Sequence, residues 1–117
     1  MIPHIVYVVP SEEKYSFIIS SRSFYYETEN VIEFVKKAIK KFLKRFADEI
    51  QPNSNIAYVK INLVRSPYSR NENKIFFTFE SDNKKKRYVL EINDNGMSAL
   101  EALGYEHKKF RLTLKGE

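Results

Sequence analysis

One stretch constrains the fold of this chain more than any other: residues 35–47 read Val-Lys-Lys-Ala-Ile-Lys-Lys-Phe-Leu-Lys-Arg-Phe-Ala. Basic pairs alternate with apolar pairs every four residues, which is the spacing of an α-helix with one apolar and one cationic face. Asn30 is the predicted N-cap, with Glu33 placed as in a capping box, and Thr28 is the alternative cap. We therefore predict a long amphipathic helix that ends near Ile50 and packs its apolar stripe against a sheet.

Apolar and polar residues alternate through much of the remaining chain, which is typical of strands with one buried face. The predicted strands are 2–9, 15–26, 56–65, 74–81, 85–92 and a last strand that contains Phe110, Leu112 and Leu114. A short helix over 97–103 is predicted to end at Gly104, because glycine tolerates the left-handed backbone that often follows a helix. The predicted fold class is α+β in the order ββαβββαβ, with a single mostly antiparallel sheet, the long amphipathic helix packed on one face and a short second helix. The connection across the long helix would permit one parallel pairing.

The alternation also assigns residues to the two faces of the predicted sheet. The residues expected under the helix are Ala57, Val59, Ile61, Leu63, Ile75, Phe77, Phe79, Tyr88, Leu90 and Ile92. Those expected on the opposite face are Tyr58, Lys60, Phe76, Thr78, Lys85, Arg87 and Arg111. Aromatic rings beside cations on an open sheet bind single-stranded nucleic acid by stacking and phosphate contact, so Tyr58 and Phe76 are candidate stacking residues. The alternative is that the N-terminal strands or a second subunit cover them.

Length and composition limit the class of protein. A chain of 117 residues with 43% hydrophobic residues is expected to form a single domain, 1–117. The absence of cysteine excludes disulfides and cysteine-ligated metal and suits an intracellular, cytoplasmic protein. We expect no signal peptide, because the N-terminus lacks a basic leader and a small-residue cleavage site. No apolar run approaches the ~18 residues of a membrane span, so no membrane insertion is expected.

Positive charge is concentrated in three segments. Residues 36–45, 84–87 and 108–111 hold 13 of the 20 lysines and arginines, and the rest of the chain has a net charge of −8 although the whole chain has +5. Net charge and its distribution bear on the partners of a protein and not on its fold.

The predicted helix carries the densest of these segments. Its cations are Lys36, Lys37, Lys40, Lys41, Lys44 and Arg45. They occupy an arc of about 180°, and their mutual repulsion costs a few tenths of a kcal/mol per pair, which favours a polyanionic partner such as DNA or RNA. The run Lys84, Lys85, Lys86 and Arg87 would add phosphate contacts. The alternatives are a solvated face without a partner, an acidic protein, or surface electrostatics at an anionic membrane.

A long polar loop over 66–73 joins two predicted strands. Arg65, Tyr68 and Arg70 are candidate contacts from this loop to a groove or a partner. The alternative is a loop that has no binding role.

Catalysis has little support in the sequence. His4 and His107 are the two histidines and have no metal-ligand spacing, and the three glycines form no phosphate-binding loop. The triplet Glu12-Glu13-Lys14 lacks the upstream aspartate with which nucleases use such a motif. We therefore expect no enzyme, no catalytic residue, no metal and no cofactor.

These observations lead to two hypotheses of different classes. The first is a small non-enzymatic nucleic-acid-binding protein of low sequence specificity that contacts phosphates through its basic helix. The alternative is a protein–protein interaction or assembly subunit with no nucleic-acid contact of its own, for which one arrangement is a homodimer.

Overall fold

The computed structural model describes the backbone of residues 15–19 and 24–28 and all atoms of residues 30–114. Six strands and two helices follow one another in these ranges. They are β1 (Tyr15–Ile19), β2 (Phe24–Thr28), α1 (Val31–Ile50), β3 (Ile56–Val64), β4 (Asn73–Ser81), β5 (Lys84–Ile92), α2 (Asp94–Ala102) and β6 (Lys109–Thr113).

The described strands form one sheet in the order β2-β1-β5-β4-β3-β6. Each pair of neighbours is antiparallel, and the described strands include no parallel pairing across α1. Both helices contribute to the same hydrophobic core and lie on one face of the sheet. The prediction of an α+β fold with one antiparallel sheet and two helices is confirmed.

The N-terminal strands differ from the prediction. The predicted strand 2–9 lies outside the described residues. The predicted strand that begins at Tyr15 is confirmed as far as Ile19. Its extension to Tyr26 is wrong, because Phe24–Thr28 form a separate strand β2 that pairs with β1 from Tyr15 opposite Thr28 to Ile19 opposite Phe24. Residues 20–23, Ser-Ser-Arg-Ser, interrupt the apolar pattern between the two strands, and serine favours turns over strands.

Helix α1 begins and ends as its sequence predicts. The side chain of Asn30 accepts a hydrogen bond of 3.0 Å from the backbone N–H of Glu33. Gln51 follows the last turn with φ 50°, and its N–H donates to the carbonyl of Ala47. The apolar stripe is buried against the sheet, with Leu43 and Ile50 packed at its margins. Neither helix in residues 30–114 is long and apolar enough to cross a membrane.

The three middle strands alternate between faces as predicted. On the helix side, the apolar residues of β4 are almost fully buried, and so are those of β3 as far as Ile61. Leu63, near the end of β3, is half-buried. A two-residue turn joins β4 to β5, in which Asp82 and Asn83 adopt φ values of 53° and 65°. Both residue types tolerate this left-handed backbone, which matches the twist of a tight hairpin.

Helix α2 begins three residues before the predicted start at Met97. The side chain of Asn93 accepts a hydrogen bond of 2.9 Å from the N–H of Gly96 and so caps a helix that starts at Asp94. The predicted range 97–103 missed this cap because Asp, Asn and Gly also favour turns. Gly104, with φ +78°, follows the helix as predicted.

Gly96 of α2 is required by close packing against Ile92, the last residue of β5. A Cβ atom added there would lie 2.5 Å from Cγ1 of Ile92, which is 1% exposed. We expect Gly96→Ala to lower the free energy of unfolding by about 1 to 3 kcal/mol despite the higher helix propensity of alanine. Urea denaturation checks this against Asn95→Ala at an exposed position of the same helix. Equal stability of the two variants would contradict the packing described.

Candidate functional site

The cations of α1 lie together on its solvent side, which we call the basic helix face. Its members are Lys36, Lys37, Lys40, Lys41, Lys44 and Arg45. The lysines are exposed, and Arg45 is half-buried near Tyr88. The acidic residues of α1 stand only at its ends, with Glu33 in the first turn and Asp48 and Glu49 in the last. The centre of the helix therefore presents positive charge without an intervening carboxylate of its own.

Two cations of the run 84–87 lie at the C-terminal end of α1. The Nζ atom of Lys84 donates to the carbonyl of Ile50 at 3.4 Å, where the helix dipole favours a positive charge. The Nζ atom of Lys86 lies 3.8 Å from Oε1 of Glu49. Side chains alternate along a strand, so the other two cations of the run lie on the opposite face of the sheet. Only two of the four cations of the run 84–87 therefore lie on the same side of the sheet as the basic helix face.

The side of the sheet away from the helices, which we call the open sheet face, brings the predicted outward residues together. The register places them in adjacent cross-strand rows: Lys85, Glu80, Tyr58 and Arg111 in one row, and Arg87, Thr78, Lys60 and Lys109 in the next. Phe76 and Asn62 are opposite each other in a third row. The structure therefore places the two candidate stacking residues beside several cations on one surface.

Cations already cover the rings of the two candidate stacking residues. The guanidinium carbon of Arg87 lies 5.0 Å from the centroid of Phe76, and Nζ of Lys109 lies 4.9 Å from the centroid of Tyr58. Such contacts contribute about 0.5 to 1 kcal/mol at exposed sites. A stacked base would have to displace or share these cations, and Glu80 lies among them. The open sheet face is thus mixed in charge, whereas no carboxylate of α1 itself lies in the centre of the basic helix face.

The loop arginines are engaged within the molecule. The guanidinium of Arg65 donates to both carboxylate oxygens of Glu101, at 2.7 and 3.2 Å, and this pairing raises its pKa. The Nε atom of Arg70 lies 3.4 Å from Oδ2 of Asp94, but the Arg70 side chain is 89% exposed. Tyr68 is 93% exposed. Tyr68 and Arg70 therefore both present most of their surface to solvent, whereas Arg65 is held by Glu101.

A buried asparagine, not predicted from the sequence, holds this loop in place. Asn73 is 1% exposed, and its Nδ2 atom donates to Oδ1 of Asp94 at 2.7 Å and to the carbonyl of Arg70 at 3.2 Å. Its Oδ1 atom accepts a hydrogen bond from the N–H of Ser66. An asparagine in a polar segment carries no sequence signal that distinguishes it from its exposed neighbours.

Of the residues considered for catalysis in the sequence, His107 lies within the described ranges. The Nδ1 atom of His107, an exposed residue, lies 3.0 Å from Oδ1 of Asn62. His4 and the triplet 12–14 lie outside the described residues. Within the described ranges there is no group of three or more histidine, aspartate or glutamate residues placed to hold a metal ion.

The structure also shows a groove between α1 and β6 that was not predicted. Its volume is about 320 Å³, within the range of ligand sites. It is lined by Val35, Lys36, Ile39, Lys40, Leu43, Tyr105, Phe110 and Leu112. The floor is apolar and the two lysines are the cations among its lining residues.

Tyr88 gives a pH-dependent contribution to stability. Burial, and then the charge and hydrogen bond of Glu49, raise the pKa of Tyr88 from 10.0 to about 12. Because the pKa is higher in the folded chain, this contribution is complete below pH ~10 and is lost as pH rises through about 12. As pH rises from about 10 to about 12, we expect the free energy of unfolding of Tyr88→Phe to fall by less than that of the unchanged protein. Urea denaturation at several pH values measures both. An equal loss in both proteins would contradict the role assigned to Tyr88.

Comparison with known proteins gave no match: no family model, no curated protein and no solved structure is similar to this chain. Its function is therefore inferred from its own surfaces.

Proposed function

We propose that this protein binds nucleic acid with little sequence specificity, through phosphate contacts to the basic helix face. The observation that carries the proposal is the exposure of five lysines on one helix face with no carboxylate of α1 among them. Their mutual repulsion lowers stability in the free protein, whereas a phosphate backbone offsets it and releases counterions. A face built mainly of lysine suits phosphates, because lysine acts as a point charge without base readout.

The dimensions of the basic helix face suit a phosphate backbone. Residues 36–45 extend about 14 Å along the helix axis at ~1.5 Å per residue. One strand of a duplex presents a phosphate about every 3.4 Å along its axis, so the face is as long as about four phosphates of one strand. Burial of the apolar stripe against the sheet holds the helix in a fixed position, and with it the Cα atoms of the six cationic residues.

The open sheet face has a secondary place in this proposal. It lies on the side of the sheet opposite to α1, so one nucleic acid would have to wrap around the molecule to contact both surfaces. Lys84 and Lys86, at the end of α1, are better placed than Lys85 and Arg87 to extend a strand that is bound to the helix.

The test is a fluorescence-anisotropy titration of labelled single- and double-stranded DNA and RNA at several salt concentrations. The six cations of the basic helix face set an upper limit of six phosphate contacts, for which the slope of log affinity against log salt would be about −5 for duplex DNA and about −4 for single strands. Similar affinities for unrelated sequences are expected. Binding that is independent of salt, or no tighter than that of a lysine-poor control protein, would contradict the proposal.

A second candidate function is an assembly subunit, supported by the aromatic residues of the open sheet face. Tyr58 is 40% exposed although β3 has a neighbouring strand on each side. A second subunit that covered this face would bury Tyr58 and Phe76. Light scattering distinguishes this candidate, which requires a mass near twice the 13.9 kDa of one chain or a larger complex.

A further inference from the structure

Strand β6 is an edge strand among the described strands. At its two ends, the N–H of Ile61 donates to the carbonyl of Lys108 and the N–H of Leu114 donates to the carbonyl of Asn55, both at 2.9 Å. In an antiparallel pair, alternate residues direct both backbone groups to the same neighbour. The even-numbered residues 108–114 therefore bond to β3. The residues whose N–H and C=O groups point away from the described sheet are Lys109, Arg111 and Thr113.

The two sides of this edge differ in chemistry. On the helix side, Phe110 and Leu112 are half-buried and form one wall of the groove of about 320 Å³. The opposite wall belongs to α1, and Tyr105 contributes to the floor. On the other side, the side chains of Lys109 and Arg111 are exposed on the open sheet face.

Positive charge surrounds the groove as well. Lys36 and Lys40 of α1 are among its lining residues. The Nζ atom of Lys108 lies 5.4 Å from the ring centroid of Tyr105 and 5.5 Å from that of Phe110. A ligand that entered the groove with apolar groups would therefore meet cations at its margin and on the other side of the strand.

We propose that β6 and the adjoining groove bind an extended peptide segment of alternating apolar and acidic residues, added to the sheet as a further strand. Backbone hydrogen bonds to Lys109, Arg111 and Thr113 would hold the segment, as in other cases of strand addition. Its apolar side chains would contact Phe110 and Leu112 in the groove. Its acidic side chains would lie beside Lys109 and Arg111, because side chains of a strand alternate between faces.

Charge favours this partner over a second copy of the chain. If two copies of β6 paired antiparallel about Arg111, the two Arg111 side chains would face each other. If they paired about Phe110 instead, Lys109 of each copy would lie opposite Arg111 of the other. Like charges directly opposite one another destabilise a sheet. A nucleic acid would leave the apolar groove unfilled. An acidic, alternating peptide of about five residues matches the backbone groups, the groove and the cations together.

The test uses the full chain and a labelled peptide, Ser-Glu-Val-Glu-Leu-Glu-Ser, in anisotropy titrations. Its control is the isomer Ser-Glu-Glu-Val-Leu-Glu-Ser, which has the same composition and charge but cannot place both apolar side chains on one face. The alternating peptide is expected to bind at least about tenfold more tightly than the isomer, since it buries a second aliphatic side chain in the groove. Equal binding of both peptides would overturn the proposal.

A pair of variants at Arg111 tests the strand edge itself. Arg111→Pro removes the outward N–H without removing a bond to β3, a position at which an edge strand tolerates proline. Arg111→Gln removes the same charge and keeps the N–H. We expect Arg111→Pro to bind the alternating peptide at least about tenfold more weakly than Arg111→Gln. Equal binding of the two variants, with the fold retained by circular dichroism, would overturn the proposal.

Two further measurements keep the inference testable. If Arg111→Pro fails to fold, N-methylation of the central valine and leucine amides of the peptide removes donors from the ligand instead. In an added strand, alternate residues direct their N–H groups to β6, so either the amides of valine and leucine or those of the glutamates must donate to it. Unchanged binding both of this peptide and of one that is N-methylated at its glutamates would overturn strand addition. Light scattering that shows a dimer of the full chain, lost in Arg111→Pro, would assign the edge to a second copy and would also overturn the proposal.

Discussion

Replacement of Phe42 by alanine is expected to lower the free energy of unfolding by about 3 to 5 kcal/mol. Phe42 is 1% exposed, and its ring centroid lies 4.6 Å from that of Tyr88 and 5.7 Å from that of Phe77. Alanine would remove the ring from the contact between α1 and the sheet. Because Phe46 also packs on the sheet through Phe79, with centroids 5.8 Å apart, the helix is held in place and cannot close the cavity fully.

The matched control for Phe42→Ala is Ile32→Ala. Ile32 is on the same helix and is 40% exposed, so its truncation is expected to cost within about 1 kcal/mol. Urea denaturation of both variants gives the comparison, with unchanged m-values as the check on two-state unfolding. Since small domains have only about 5 to 15 kcal/mol of stability, Phe42→Ala would remove a substantial part of it. Equal losses in the two variants would contradict the packing of α1 on the sheet.

Much of the fold could be predicted where one face of an element is buried and the other is not. In α1 the apolar residues recur at helical spacing, and Asn30 marks its start. In β3 to β5 the alternation is regular, so the register fixes which residues enter the core. The prediction failed beyond Ile19, because apolar residues resume at Phe24 after the short polar segment 20–23 although β1 and β2 are two separate paired strands. Serine is a weaker turn signal than glycine or proline, so periodicity alone did not separate the two strands.

The candidate surfaces were predictable to the extent that they depend on local spacing. The basic helix face follows from positions within α1, and the division of 84–87 follows from alternation in β5. The pairing of Arg65 with Glu101 joins residues 36 positions apart, and no local pattern contains it. The groove depends on where α1 lies across the sheet and on which strand is at the edge. Such features arise from tertiary packing, which sequence spacing alone does not determine.

Removal of three cations from the basic helix face is expected to weaken nucleic-acid binding and to reduce its salt dependence. The helix variant combines Lys36→Gln, Lys40→Gln and Lys44→Gln, all at exposed positions. Loss of three phosphate contacts would reduce the slope of log affinity against log salt by about 2.7 for duplex DNA and about 2.1 for single strands. The ratio of the affinity of the unchanged protein for duplex DNA to that of the variant would then fall about 40-fold as salt rises from about 50 to about 200 mM.

A charge-matched variant of the open sheet face shows whether this effect depends on position or only on net charge. It combines Lys60→Gln, Lys85→Gln and Arg87→Gln, which lie in the adjacent rows of that face. Both triple variants have the same net charge, so non-specific attraction would fall equally in the two. If phosphates bind at the helix, the sheet variant keeps most of the slope, whereas the helix variant loses about half of it. The reverse result would assign binding to the open sheet face, and equal slopes in both variants would contradict any localised phosphate site on α1.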